Sequence, residues 1–310
     1  MQIIVKDLDY IFLRKTPIEH KALDKVNVTI NQGEYIGIIG QTGSGKTTFI
    51  EHLNALLVPT EGQITWIYDK DIIDKKTKAK QTVTTEYTLK KSWRKKVKKA
   101  KELRKNIGVV FQFAEYQLFE ETIEKDIAFG PRSFGVSKSE AKERAKKYLN
   151  LVGLDDSFLE KSPFDLSGGQ KRRVALAGIL AMEPQILIAD EPTAGLDPVG
   201  VREILEIFNR LHKQGKTVVI VTHDLDNVLE VTDRVLIFKD GHIVRDGKTY
   251  EVLRDTQFLK ENAMEPPKIL DFVHKLEQRG WTIPKVKSID DLVAHINATL
   301  ASKGEVNEHN

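Results

Sequence analysis

Residues 35–57 read YIGIIGQTGSGKTTFIEHLNALL, and this stretch decides the fold. Tyr35–Ile39 is a short apolar run of strand type. Gly40, Gln41, Thr42, Gly43, Ser44, Gly45, Lys46 and Thr47 follow at once and fit the pattern G-x-x-x-x-G-K-S/T. Beyond them Phe49, Ile50, Leu53, Leu56 and Leu57 recur near a spacing of 3.6, which predicts a helix. Glycines let a backbone wrap so that several N–H groups face one anion, and the helix start adds its positive end. The reading is therefore a phosphate-binding loop. Lys46 is expected to reach the β- and γ-phosphates, and the Thr47 hydroxyl to hold Mg²⁺. Ser44 and Thr48 supply further hydroxyls and amides. Residue frequencies alone produce such a pattern in about one chain in a hundred of this length, and the strand–loop–helix context lowers that further.

Working outward, Ile3–Val5, Val26–Ile30, Ile64–Ile67 and Ile107–Phe111 are strand-like. From about 115 to 185 the pattern turns helical, with Ser137–Val152 opened by a capping-box spacing of Ser137 and Glu140 and with Arg172–Met182 stopped by Pro184. Strand and helix patterns then alternate through Ile186–Ala189, Val201–Lys213, Thr217–Val221, Asp226–Val231 and Arg234–Phe238. Alternation of this kind predicts an α/β fold with a mostly parallel sheet, helices on its faces and a helical subdomain inserted at about 113–184. After Glu265-Pro266-Pro267 two amphipathic helices are expected, the second capped by Ser288 and Asp291, and 304–310 form a polar tail expected to be disordered. The expected division is 1–256, 257–303 and 304–310.

Composition bounds the function. The 310 residues are 40% hydrophobic and 30% charged, enough for a sizeable core. No apolar run is long enough to span a bilayer, and the first residues, MQIIVKDLDY, do not read as a signal peptide. The chain is expected to stay in the cytosol unless a partner holds it at a membrane. Without cysteine there are no disulfides or thiolate metal sites. The net charge of +3 hides an asymmetry: residues 70–105 carry 15 Lys/Arg against 4 Asp/Glu, a net of +11, so the remainder is −8.

Two further strands end in polar residues. Ile186–Ala189 runs into Asp190 and Glu191. Buried strands seldom end in two carboxylates without a cation or hydrogen-bond network. Beside a phosphate loop, Asp190 is expected to hold Mg²⁺ and Glu191 to polarise the attacking water. Thr217–Val221 leads to His223, at the edge of a parallel sheet where ligands collect. Alone, such a histidine is more often structural; in this order of elements it can orient water at the γ-phosphate. Gln112, after Ile107–Phe111, can reach Mg²⁺ or the water with its amide oxygen, though by itself a glutamine there reads as structural.

Leu166-Ser167-Gly168-Gly169-Gln170 resembles the signature of ABC ATPases, ending 190 − 170 = 20 residues before Asp190. The order phosphate loop, Gln112, signature, Asp190-Glu191, Ala194-Gly195-Leu196-Asp197, His223 resembles that family over about residues 3–250. The resemblance implies a P-loop NTPase-type sheet with an N-terminal antiparallel β part, the inserted helical subdomain and a short helical C-terminal tail. It implies ATP and Mg²⁺ at Lys46, Thr47, Gln112, Asp190, Glu191 and His223. Ser167, Gly168, Gly169 and Gln170 would close on ATP held by a second ATPase subunit, with Asp197 linking the two sites. Phe12 is the better-aligned candidate for stacking on adenine and Tyr10 the other; either can instead be core. The run Phe111–Phe119 followed by Asp126–Pro131 resembles the ATPases of energy-coupling factor transporters, which power uptake of vitamins and transition-metal ions. Ala194–Pro198 is similar to the second of their two paired ATPase types. Expected partners are a second ATPase, a transmembrane coupling subunit and a substrate-binding membrane subunit, on the cytoplasmic face of the membrane, and not nucleic acid. The helical tail is similar to one that helps such ATPases dimerise.

One departure is the basic segment at about 70–105. Leu89, Trp93, Val97, Ala100 and Leu103 would share one face of a helix, with lysines around the rest. Such a helix can pack on its own domain, lie on an anionic membrane or bind nucleic acid. This segment is the sole support for the competing function, a soluble ABC ATPase acting on ribosomes or DNA.

Overall fold

The computed structural model describes residues 1–73, 80–91 and 97–307. The chain opens with β1 (Gln2–Phe12), β2 (His20–Ile30) and β3 (Tyr35–Ile39), then α1 (Lys46–Leu53), β4 (Glu61–Ile73), β5 (Lys80–Lys90), α2 (Ala100–Asn106) and β6 (Ile107–Val110). The helical block is α3 (Ile123–Ser133), α4 (Lys138–Leu151) and α5 (Gly168–Leu180). Next come β7 (Ile186–Asp190), α6 (Pro198–Lys213), β8 (Thr217–Val221), α7 (Leu225–Val231), β9 (Arg234–Lys239) and β10 (His242–Lys248). The chain closes with α8 (Thr249–Leu253), α9 (Thr256–Glu261), α10 (Lys268–Glu277) and α11 (Ile289–Asn307).

Two sheets result. The larger has the order β10-β9-β3-β8-β7-β6, parallel throughout except for β10 against β9. Its central strands are buried on both faces, which is why they read as unbroken apolar runs rather than as alternation. Tyr35 and Ile39 join the core under the helices, while Ile36 and Ile38 join the core shared with the second sheet. That sheet is antiparallel, ordered β2-β1-β4-β5. Trp66 of β4 is fully buried between the layers, and its indole N–H donates to Leu53 O at 2.8 Å. The architecture is the expected one: a mostly parallel sheet, an antiparallel β part, an inserted helical block and C-terminal helices.

The basic segment differs from the expectation of one helix across Leu89–Leu103. Residues 80–90 form β5, pairing with β4 from Gln63↔Lys90 to Ile73↔Lys80. Leu89 is thus a strand residue opposite Ile64, and α2 starts at Ala100, with Leu103 buried; Trp93 lies outside the described residues. The apolar spacing at 89–103 coincides with a helical face, but Thr82, Val83, Thr84, Thr85 and Thr88 favour extended backbone, and pairing with β4 decides the outcome. Lys91 pairs with Glu61 at 2.5 Å and Lys70 with Glu102 at 2.8 Å, so part of the charge is matched within the domain.

At the C-terminus Val273, Ile283, Val286 and Leu292 make a small separate core, and Ser288 Oγ accepts from Asp291 N at 3.1 Å. Ile289, Val293 and Leu300 stay exposed. α11 runs through Asn307, into the tail expected to be disordered over 304–310; residues 308–310 lie outside the described residues. No helix among the described residues is long and apolar enough to cross a membrane.

Candidate functional site

The phosphate loop leaves β3 and turns into α1 at Gly45, whose φ of 103° is left-handed and suits glycine. A side chain there would also meet Ala22 O at 2.5 Å, so the loop lies directly against β2. Lys46 folds back across the loop: its ammonium donates to Gly40 O at 2.7 Å and Gln41 O at 2.8 Å. Burial lowers its pKa, opposed by the charges of Glu191 and Asp190. One network therefore links the loop to the end of β7.

Thr47 Oγ1 donates to Asp190 Oδ2 at 3.2 Å. Burial raises the Asp190 pKa, and the Thr47 bond opposes it. Glu191 follows with a φ of 47°, a conformation that costs a non-glycine residue about 1–3 kcal/mol. Its N–H donates to Val221 O at 2.8 Å, its Oε2 accepts from Thr222 Oγ1 at 3.1 Å, and its Oε1 meets His223 Nδ1 at 2.8 Å. The carboxylate is thus held from β8, while the His223 side chain remains 79% exposed. His223 contacts the carboxylate directly, a partner the sequence reading did not assign to it.

These groups surround one recess of about 470 Å³, lined by Thr42, Gly43, Gly45 and Lys46–Thr48, with Gln112, Asp190, Glu191, His223, Phe12, His20 and Ala22. Phe12 is on its wall; Tyr10 is not, being packed edge-on behind Phe12 at 4.8 Å and against His52 at 4.7 Å. His20, paired across the strands with Phe12, was missed; the alternation of a hairpin that already offered Phe12 was the signal for it. Gln41 and Ser44 face a smaller cavity on the far side of the loop, where the Gln41 side-chain amide donates to Asn262 O at 3.1 Å.

The signature lies apart. Ser167 caps α5: Ser167 Oγ accepts from Gln170 N at 3.4 Å, and Gln170 Oε1 accepts from Ser167 N at 3.0 Å. Ser167, Gly169 and Gln170 line a separate groove of about 480 Å³ with Gly195, Leu196 and Asp197, and it shares no residue with the recess around Lys46.

A phosphate loop beside a carboxylate pair, with this signature on a second surface, is matched among known proteins. Residues 23–194 fit the ABC transporter family. The energy-coupling factor transporter ATP-binding protein EcfA2 of Mycoplasmopsis pulmonis is 62% identical, over 99% of this chain and 100% of its own. The chain belongs to the ABC transporter ATPases, as an ATP-binding subunit of the energy-coupling factor type. The protein of the same name from Enterococcus faecalis is 47% identical over 98% of this chain and 99% of its own. Among solved structures, cbiO1 of Clostridium perfringens, described as part of the ABC transporter complex cbiONQ, superposes with TM-score 0.66 and 33% identity over 88% of this chain and 98% of its own. A dimeric post-hydrolysis state of the ATP-binding cassette MJ0796, bound to ADP and Pi, gives TM-score 0.64 and 29% identity over 80% of this chain and 98% of that one. As a member of this ATPase family the chain binds and hydrolyses ATP.

Proposed function

We propose that this chain is one of a pair of ATPase subunits that drive uptake of vitamins or metal ions through membrane partners, from the cytoplasmic face of the membrane. The observation that carries the reading is the separation of the two surfaces. Lys46, Asp190 and Glu191 line one recess and Ser167 and Gly169 another, so neither surface alone encloses a nucleotide. Two copies, or this chain and a paralogue, complete each other's sites when the signature of one closes on the ATP of the other. The dimeric cassette structure and the cbiONQ complex support the pairing and the membrane partner by analogy.

Within the recess the loop amides and Lys46 hold the phosphates, and Phe12 offers its ring to adenine. Thr47 Oγ1 and Asp190 fit Mg²⁺: a hydroxyl and one buried carboxylate are hard oxygen donors, and this ion characteristically takes one or two carboxylates plus phosphate oxygens and water. Bound there with Gln112 nearby, Mg²⁺ would neutralise charge on the phosphates. Glu191, steadied by Thr222 and His223, accepts a proton from the attacking water. The test is reconstitution of the chain with its co-purifying membrane subunits in vesicles. ATP-dependent solute uptake is expected; turnover of ATP with no uptake of any vitamin or metal ion would reject the transport reading.

A further inference from the structure

The nucleotide recess and the signature groove share no lining residue, yet one side chain touches the backbone that serves both. Arg172 lies in the first turns of α5, two residues beyond Gln170, and is 8% exposed. Its Nη2 donates to Glu115 Oε1 at 2.9 Å and its Nε to Glu115 Oε2 at 3.2 Å, a two-pronged pair. Its Nη1 donates to Ala194 O. Glu115 belongs to the short 3-10 turn that begins two residues after Gln112. Ala194 closes the turn after Glu191, its N–H donating to Glu191 O at 3.2 Å. Burial raises the Glu115 pKa, but the hydrogen bonds and charge of Arg172, together with a backbone hydrogen bond, leave the carboxyl below its usual value.

We propose that Arg172 is a positioning residue that fixes the signature helix to the Gln112 and Glu191 segments, so that the state of this chain's own nucleotide sets the half-site it offers to its partner's. The proposal rests on the shared-site reading above. A buried ion pair is a weak source of net stability, because desolvation offsets its attraction. What a planar guanidinium supplies is direction: three bonds to two segments fix α5 in position and rotation, which an ammonium cannot reproduce. Movement of the Glu191 turn therefore has to carry the start of α5 with it or break the fork.

The test uses the full-length chain with its co-purifying subunits and three variants: Arg172→Lys, Glu115→Gln and the apolar pair Glu115→Leu with Arg172→Met. Turnover is expressed per bound ATP, so partial unfolding cannot imitate the effect. Turnover is expected to fall about tenfold in all three, while affinity for a fluorescent ATP analogue stays within about twofold. The apolar pair is expected to recover thermal stability without recovering turnover. Wild-type turnover in Arg172→Lys would overturn the proposal. So would recovery of stability and turnover together in the apolar pair, or a parallel loss of affinity and turnover. Glu191→Gln in the same preparation separates the two levels. If it still turns over, the catalytic reading fails; if it is silent while the Arg172 variants keep wild-type rates, only the positioning role fails.

Discussion

Around Lys46 the backbone is constrained and the charges are partly buried; around Ser167 the helix start is relaxed and the polar groups face solvent. Gly40 and Gly45 sit where a Cβ would strike Phe238 O at 2.2 Å and Ala22 O at 2.5 Å, and Glu191 holds a left-handed φ. A Cβ at Gly168 would meet nothing within 4 Å, and the start of α5 is satisfied by its own capping box. The two surfaces enclose similar volumes, about 470 and 480 Å³. The difference teaches that one surface is assembled and strained by the fold, whereas the other is an open helix start that needs no such strain.

The comparison can be broken or sharpened in order of effect. Glu191→Gln should lower ATP turnover by about 10²–10⁴-fold while leaving nucleotide binding intact, since only proton acceptance is lost. Single-turnover hydrolysis beside equilibrium binding checks this; equal turnover in mutant and wild type would remove Glu191 from its role. Gly45→Ala should cost about 2–4 kcal/mol, because the new Cβ meets backbone at an unfavourable φ. The same change at Gly168 should be neutral or stabilising by up to about 1 kcal/mol, as expected for alanine in a helix. Urea titration of both variants gives the sign directly, and equal losses would dissolve the contrast.

His52 supplies a pH test of the constrained side. It is fully buried on α1, Thr48 O accepts from its Nδ1 at 2.7 Å, and burial lowers its pKa from 6.5 to about 4. The unfolded chain binds the proton between those values and the folded chain does not. Stability is therefore present above pH 6.5 and lost as pH falls toward 4, by about 2 kcal/mol between pH 7 and pH 5. His52→Asn should flatten that part of the profile; an unchanged slope would assign the acid sensitivity elsewhere. A smaller effect than that of His52 is expected at the relaxed side. Ser167→Ala removes one helix cap and should cost about 1 kcal/mol in thermal unfolding, with ATP affinity for the chain's own recess unchanged.

Much of this was readable from residue order. The glycine pattern at 40–47, the paired carboxylates at 190–191 and the capped start at Ser167 are local in the chain, and each carries its chemistry in a few consecutive residues. The central strands were visible because burial on both faces leaves continuous apolar runs. The basic segment was misread because five apolar residues at helical spacing also fit a strand followed by a short helix, and only β4, lying alongside, chooses between them. Arg172 was passed over because its partners are 57 and 22 residues away, at a range where no periodicity operates.

By itself, then, the sequence determined the phosphate loop, the carboxylate pair, the signature and the alternating α/β order, since local backbone preference and hydrophobic period are written in neighbouring residues. Tertiary structure alone decided that Phe12 rather than Tyr10 lines the recess, that His223 braces Glu191, that β5 of the basic segment pairs with β4, and that the recess around Lys46 and the groove around Ser167 lie apart. Each of those depends on which distant strands become neighbours, and that is settled by burying both faces of one sheet at once.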